Sequence, residues 1–185
     1  MRSSRSLDTA ATTDASGPVS LRRRFAASGD SYAFAMVTLE PMTPEAFERW
    51  RIAAVRAYAA DKVRVGAWPE DGAEARSAHE FSELLPDGLD TADHDLRSIV
   101  TATGETVGTL WFGPRGDGSR DVAFIWDIEV DEAYRGRGYG RAALEALEPL
   151  AISLGYGSIG LHVFGDNEVA RRLYRSAGYA ETDVS

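Results

Sequence analysis

The 185-residue chain has no cysteine, only three histidines and no apolar run near the roughly 20 residues that a membrane-spanning helix requires. The lack of cysteine excludes disulfides, thiolate catalysis and cysteine-based zinc sites, and it is typical of a reducing compartment. We therefore expect a cytoplasmic protein that does not enter a membrane. Acidic residues outnumber basic ones by 29 to 20, which gives a formal net charge of −9. This balance argues against nucleic-acid binding and is compatible with an amine partner.

The first 31 residues differ in composition from the rest. They are rich in Ser, Thr, Ala, Gly and Arg, with little to bury, which predicts a disordered basic arm over residues 1–31 and one domain over residues 32–185. The run Arg22–Phe25 resembles a twin-arginine export signal, but polar residues follow it where such a signal has an apolar stretch. Met36, just before an alternating run, is an alternative start of the chain.

Strand and helix patterns alternate beyond the arm. Strands are predicted at 35–40, 96–101, 106–112, 122–130 and 158–164 and from residue 179 onward, and short turns join the second to fourth into an antiparallel meander. Helices are predicted from residue 43, over 69–85, over 139–154 with Pro149 kinking it, and over 167–177. The pattern is typical of a single α/β domain.

A glycine–arginine loop lies between the strand at 122–130 and the helix that follows. It reads V-D-E-A-Y-R-G-R-G-Y-G-R, with glycines at 136, 138 and 140. Glycines let the backbone turn tightly and come close to a ligand. The bare amides and the positive dipole end of the following helix form an anion site. Together with the arginines, the loop predicts binding of a phosphorylated cofactor.

The same loop also matches a dinucleotide fingerprint, Gly138-x-Gly140-x-x-Ala143, with Asp166 about twenty residues further on to meet a ribose. Its context argues against that interpretation. Residues 131–135 separate the loop from the strand, and only one strand–helix–strand unit is present. A small nicotinamide-binding domain remains the weaker alternative.

The second motif is N-E-V-A-R-R-L-Y-R-S-A-G-Y, from Asn167 to Tyr179. Asp166 or Asn167 can start a helix and Gly178 can end it. Asn167 and Tyr174 are seven residues apart, so they share a helix face and lie about 10 Å apart along the axis. That span suits two contacts with one extended cofactor.

These two motifs carry a resemblance to a known family. Arg135-x-x-Gly138-x-Gly140 resembles the acyl-CoA pyrophosphate loop of the GNAT superfamily of N-acetyltransferases, and the second motif is similar to that family's C-terminal motif. The resemblance covers about residues 96–182. It implies a GNAT-type domain with a mixed sheet of six to seven strands, an antiparallel N-terminal meander, a splayed parallel pair in the middle and about four helices.

The resemblance also implies an activity, transfer of an acetyl group from acetyl-CoA to a primary amine by direct attack in a ternary complex. Tyr174 would approach the cofactor sulfur; a phenol of pKa about 10 is more basic than a thiol of pKa about 8.5, so it can protonate the leaving thiolate. A backbone N–H where the parallel strands part would stabilise the oxyanion. The cofactor-binding residues are then Ile128, Val130, Arg135, Gly136, Arg137, Gly138, Gly140, Arg141 and Asn167.

The sequence does not decide which group acts as the base that deprotonates the acceptor amine. Glu129 lies beside the predicted oxyanion strand, and His162 lies on the neighbouring strand with a side chain suited to neutral pH. Asp127 shares the face of Glu129 by period-two alternation. Each could equally be structural, and a water chain could replace them. His79 and His94 are too isolated to assign, and no metal-ligand spacing occurs in the sequence.

Two features depart from the family pattern. Pro149 is unusual in the cofactor-facing helix, and the last strand stops at Ser185, shorter than expected. Part of the acceptor wall would then be missing or supplied by another subunit, and since family members often pair, a homodimer is a further expectation. A CoA-binding sensor that lacks turnover is the second alternative. The amine acceptor, whether peptide or small molecule, is not identified by the sequence.

Overall fold

The computed structural model describes residues 4–5, 18–25, 36–115, 119–165 and 167–182. Within these ranges the chain forms one mixed sheet and four α-helices. The strands are β1 Ser4–Arg5, β2 Pro18–Arg24, β3 Val37–Pro41, β4 Asp95–Thr101, β5 Thr106–Arg115, β6 Ser119–Val130, β7 Ser158–Phe164 and β8 Ala180–Thr182. The α-helices are α1 Pro44–Arg64, α2 Ala73–Leu84, α3 Tyr139–Ser153 and α4 Glu168–Ser176. None of these helices is both long and apolar enough to span a membrane.

The sheet order is β3-β4-β5-β6-β7-β2-β8, with β1 also pairing to β6. Strands β4 to β6 form the predicted antiparallel meander, and β3 pairs antiparallel with β4. Helix α3 connects β6 to β7, which pair in parallel. The predicted α/β architecture is therefore confirmed. The seven-strand path agrees with the expected six to seven strands, and the two-residue β1 is additional.

The two faces of the sheet have different cores. The face that packs against α3 and α4 is mainly aliphatic, and we call it the α3 face. The opposite face, against α1 and α2, is aromatic, and we call it the α1 face. Burying each such side chain contributes about 1.5–3 kcal/mol. The α3 face includes Leu21, Val37, Ile99, Leu110, Ile125, Ile128, Leu144, Leu147, Ile159, Leu161 and Tyr174, and the α1 face includes Phe47, Trp50, Tyr58, Trp68, Phe81, Trp111, Phe124 and Trp126.

Local sequence explains where the first helix begins. Thr43 caps α1, because its Oγ1 accepts a hydrogen bond from the Ala46 N–H at 3.2 Å, and Pro44 occupies the first turn. The predicted helix over 69–85 is shorter in the structure and begins at Ala73, after Gly72 in a left-handed conformation. Helix α3 runs without interruption from Tyr139 to Ser153 with Pro149 inside it.

The predicted disorder of residues 1–31 is wrong for Pro18–Arg24. This segment forms β2, which lies between β7 and β8. The reason is that Val19 and Leu21 alternate with polar residues, so one side of the strand enters the α3 face, where Leu21 is 2% exposed. Ser4–Arg5 also pair with the sheet and Phe25 packs against the α3 face, whereas the rest of the arm lies outside the described residues. The folded domain therefore begins before residue 32.

Candidate active site

A cleft opens between the two parallel strands near their carboxyl ends. Pairing of β6 with β7 ends at Ile125 and Leu161, although β6 continues to Val130 and β7 to Phe164. Trp126 is the cause, because it is an extra residue: Trp111 of β5 faces Asp127 and Phe112 faces Ile125. A bulge of this kind increases the twist and ends strand pairing. We call the space between residues 126–130 of β6 and residues 162–164 of β7 the cleft; it confirms the predicted splayed pair.

The chain's own backbone enters this cleft. Ser4 lies opposite Ile128 and Arg5 opposite Asp127 in antiparallel pairing. The other edge of β6 is already paired with β5, so β1 occupies the edge that faces β7. Ile128 and Val130 are predicted to bind the cofactor, whose pantetheine arm would pair with their main-chain groups on this edge. A cofactor on this edge must therefore displace β1.

The glycine–arginine loop lies at the carboxyl end of β6 and leads into α3. Gly136 and Gly138 have φ angles of 77° and 87°, which favour glycine, and a Cβ at either position would meet nothing within 4 Å. Among the described residues, the amides of 136–141 have no backbone carbonyl partner. Open amides at the N-terminus of a 15-residue helix are the groups that an anion site requires, and the binding of an anion here remains a prediction.

The arginine side chains hold the loop rather than project from it. Arg135 donates through Nε to the Val130 carbonyl at 2.9 Å and through Nη2 to Glu129 Oε1 at 3.3 Å. The guanidinium of Arg137 lies 5.7 Å from the centre of the Tyr134 ring. Arg141 donates to the carbonyl and hydroxyl oxygens of Ser176, tying α3 to the end of α4. The three arginines thus anchor the loop to its surroundings, and each lies within or next to residues 136–141 in the sequence.

Asn167 and Tyr174 lie on α4, as the sequence predicts. Asn167 caps this helix, because its Oδ1 accepts from the Ala170 N–H at 3.2 Å. Tyr174 is fully buried in the α3 face, in the same cluster as Ile128 of the cleft, and its ring centre is 5.7 Å from that of Tyr179. Its place beside a cofactor sulfur remains a prediction.

The two candidate bases have partners in the structure. Glu129 is half-buried and pairs with Arg135. His162 is 8% exposed, and its Nε2 is 3.1 Å from Arg115 Nη1. A guanidinium can only donate, so Nε2 must accept and its lone pair is engaged. His162 could accept a proton from an amine at Nε2 only after Arg115 moved away.

Asp127 is a carboxylate whose position the sequence revealed only in part. It is 1% exposed, and its Oδ2 accepts from the indole N–H of Trp50 on α1 at 2.9 Å. The bulge turns Trp126 and Asp127 to the same α1 face, although they are consecutive residues. Asp127 and His162 thus stand on the two strands that bound the cleft, on the same face of the sheet.

His94, which the sequence left unassigned, belongs to the aromatic core of the α1 face. Its Nδ1 accepts from the Trp111 indole N–H at 3.0 Å, and its ring lies 6.0 Å from the Trp126 ring. Burial lowers the pKa of His94 despite the neighbouring Asp93 and Asp95, so the imidazole is neutral at pH 7 and acts as an acceptor. Among the described residues, no group of three or more His, Asp or Glu side chains converges as metal ligands would.

Comparison with known proteins agrees with this geometry. Residues 53–179 match the Acetyltransferase (GNAT) family. The chain is 39% identical over 148 residues to the uncharacterized N-acetyltransferase YycN of Bacillus subtilis, covering 80% of this chain and 95% of that protein. A crystal structure of the B. subtilis protein, described as a putative acetyltransferase, superposes with a TM-score of 0.73 at 38% identity, again covering 80% and 95% of the two chains. Spermidine N-acetyltransferase from Vibrio cholerae, solved with CoA and spermine, shares the fold with a TM-score of 0.55 at 15% identity, covering 78% of this chain and 80% of that one.

Proposed function

This chain belongs to the acetyltransferase (GNAT) family, and on that premise we propose that it moves an acetyl group from acetyl-CoA to a primary amine by direct attack in a ternary complex. The observation that carries the proposal is the loop at residues 136–141, whose amides are open at the N-terminus of α3 and adjoin the cleft. A diphosphate would accept hydrogen bonds from these N–H groups, and the thioester arm would extend along β6.

The residues present fit such a co-substrate. No Cβ obstructs the loop at Gly136 or Gly138, and the arginines that hold it add positive charge near the diphosphate. The Val130 carbonyl already accepts a hydrogen bond from Arg135, so Val130 has only its N–H left to bond to the cofactor. The main-chain groups of Ile128 become available to the cofactor once β1 leaves. Asn167, at the start of α4, would assist the pantetheine arm.

Acetyl transfer requires few chemical groups once the two reactants are held in position. Holding the thioester carbonyl and a neutral amine together can supply up to about 7–11 kcal/mol in ideal intramolecular cases. A backbone N–H of residues 128–130 would stabilise the tetrahedral oxyanion, and the Tyr174 hydroxyl would protonate the departing thiolate. Direct attack needs no covalent enzyme intermediate, which agrees with a chain that has no cysteine.

Glu129 is the better placed of the two proposed bases. It is half-buried at the edge of the cleft, so an amine can reach it through a water molecule, whereas the Nε2 lone pair of His162 is engaged by Arg115. Asp127 accepts a hydrogen bond from Trp50 of α1, so we expect it to hold α1 in position beside the cleft. The acceptor class, a primary amine, is consistent with the spermidine N-acetyltransferase that shares the fold.

Release of CoA thiol from acetyl-CoA tests the proposal. We expect release that depends on both the protein and an amine, measured over a panel of peptides, polyamines and small primary amines. A variant that lacks residues 2–13 is included because β1 occupies the cofactor edge, and it should turn over at least as fast as the full chain.

The same samples distinguish the alternatives by thermal shift, since a ligand that binds the folded state raises the melting temperature. If CoA stabilises both the full chain and the variant that lacks residues 2–13, but no amine gives thiol release, the chain is a CoA-binding sensor and not an enzyme. Stabilisation by NAD and not by CoA would favour the nicotinamide-binding alternative.

A further inference from the structure

Strand β2 lies inside the sheet although it comes from the N-terminal part of the chain. All seven of its residues pair with β7, from Pro18 opposite Phe164 to Arg24 opposite Ser158. On its other edge, three residues pair with β8, from Ser20 opposite Thr182 to Arg22 opposite Ala180. Within the described residues, β8 pairs with no other strand. The attachment of β8 to the sheet therefore depends on β2.

Strand β2 fills the space between β7 and β8, which we call the groove. Its side chains make contacts on both faces of the sheet. Leu21 is buried in the α3 face, and Arg23 pairs with Glu148 of α3 at 2.7 Å. On the opposite face, Arg22 Nε donates to the hydroxyl of Ser158 at 2.9 Å, and that hydroxyl donates to the Asp121 carbonyl at 2.8 Å. These contacts select a strand with an apolar residue between polar ones, so the groove recognises sequence as well as backbone.

No short connection ties β2 to its neighbours in the sheet. The next strand along the chain, β3, lies at the far edge, five strand positions away, which is about 24 Å at the usual spacing. The 12 residues from 25 to 36 separate the two strands, and an extended chain of that length reaches about 40 Å. The connection is long enough to reach a groove on the same chain or on a neighbouring one.

Removal of β2 would leave hydrogen-bonding edges open on both β7 and β8. Open sheet edges recruit strands, and an N-terminal segment on a long connection is an element that copies of a protein can exchange. The occupant that matches the groove's apolar and polar contacts is this same segment, whichever copy supplies it.

We propose that the groove between β7 and β8 is a strand-acceptor site, that Pro18–Arg24 is its separable donor strand, and that a second copy of the chain can supply this strand. Exchange of β2 between two copies gives a symmetric dimer, with each copy completing the other's sheet. This inference is independent of the proposed enzymatic activity.

A cleavable form of the full chain tests separability. A specific protease site replaces part of residues 26–35, the folded protein is cut there, and a fluorescent peptide of residues 17–25 is added in excess. We expect the peptide to replace the cut strand and to raise fluorescence anisotropy with saturation. This design keeps the groove filled until exchange, so the test does not depend on folding of a truncated chain.

Two matched peptides define specificity. The peptide with Leu21→Asp should bind roughly 30-fold more weakly or worse, because Leu21 is buried in the native strand. The peptide with Arg24→Gln, altered at an exposed position, should bind like the unmodified one. No exchange of the unmodified peptide at millimolar concentration, or equal binding of the Leu21→Asp peptide, would overturn the donor-strand assignment.

Light scattering after size exclusion tests exchange between copies. The uncut chain, refolded from denaturant at increasing protein concentration, should yield a rising dimer fraction, whereas the chain with Leu21→Asp should yield none. A monomer at every concentration would overturn the second-copy claim even where the peptide exchanges.

Discussion

Replacing Tyr174 with phenylalanine should lower kcat by roughly 10²- to 10⁴-fold while leaving the affinity for acetyl-CoA nearly unchanged, the size expected for loss of a general acid. The ring that packs against Tyr179 stays in place, so the α3-face core keeps its volume. Initial rates of thiol release and CoA titration by calorimetry measure the two quantities separately.

Tyr179 supplies the matched control. It is equally a buried tyrosine, its hydroxyl has no hydrogen-bond partner among the described residues, and burial raises its pKa well above the usual value for a phenol. The same Tyr→Phe change at residue 179 should leave kcat unaltered. If kcat also stays unchanged in the Tyr174→Phe variant, with chemistry shown to be rate-limiting, Tyr174 is not the acid.

Gly138→Glu should abolish binding of CoA while far-ultraviolet circular dichroism remains native. Gly138 has a φ of 87°, so any side chain there costs about 1–2 kcal/mol in backbone strain. The larger effect comes from a carboxylate placed at the amides that would bind the diphosphate. Calorimetric titration with CoA measures the loss.

A control substitution at Gly72 separates the loss of CoA binding from the general effects of backbone strain and added negative charge. It precedes α2 in the same way that Gly138 precedes α3, with a φ of 74°, and a Cβ there also meets nothing within 4 Å. Gly72→Glu therefore adds the same side chain at a left-handed helix start on the other face of the sheet. It should lower the melting temperature by a similar amount and bind CoA normally. Retained CoA binding in Gly138→Glu would place the phosphate site elsewhere.

The features that were predictable from sequence are the local ones. The glycine spacing at 136–140 and the cap at Asn167 depend on residues close together in the chain, so the loop, α3 and α4 were predicted at the positions where they lie. The meander was predictable for the same reason, since short turns join its strands.

The features that the sequence did not reveal depend on distant partners. Residues 18–24 contain only two apolar side chains besides Pro18. They form a strand because the edge of β7, well over 100 residues away in the sequence, pairs with them. The Trp126 bulge exists only relative to the register of β5, so its effect on Asp127 cannot be found from alternation within β6. The bond from Trp50 to Asp127 joins residues 77 positions apart.

The proposed activity requires that the loop at 136–141 bind the diphosphate of acetyl-CoA through its amides. The most direct test is an NMR titration of protein labelled with ¹⁵N-glycine, in which CoA is added and each glycine amide is followed. The largest shifts should occur at Gly136, Gly138 and Gly140, with Gly72 unchanged. If saturating CoA shifts the amides of other glycines and leaves these three unchanged, the loop does not bind the diphosphate.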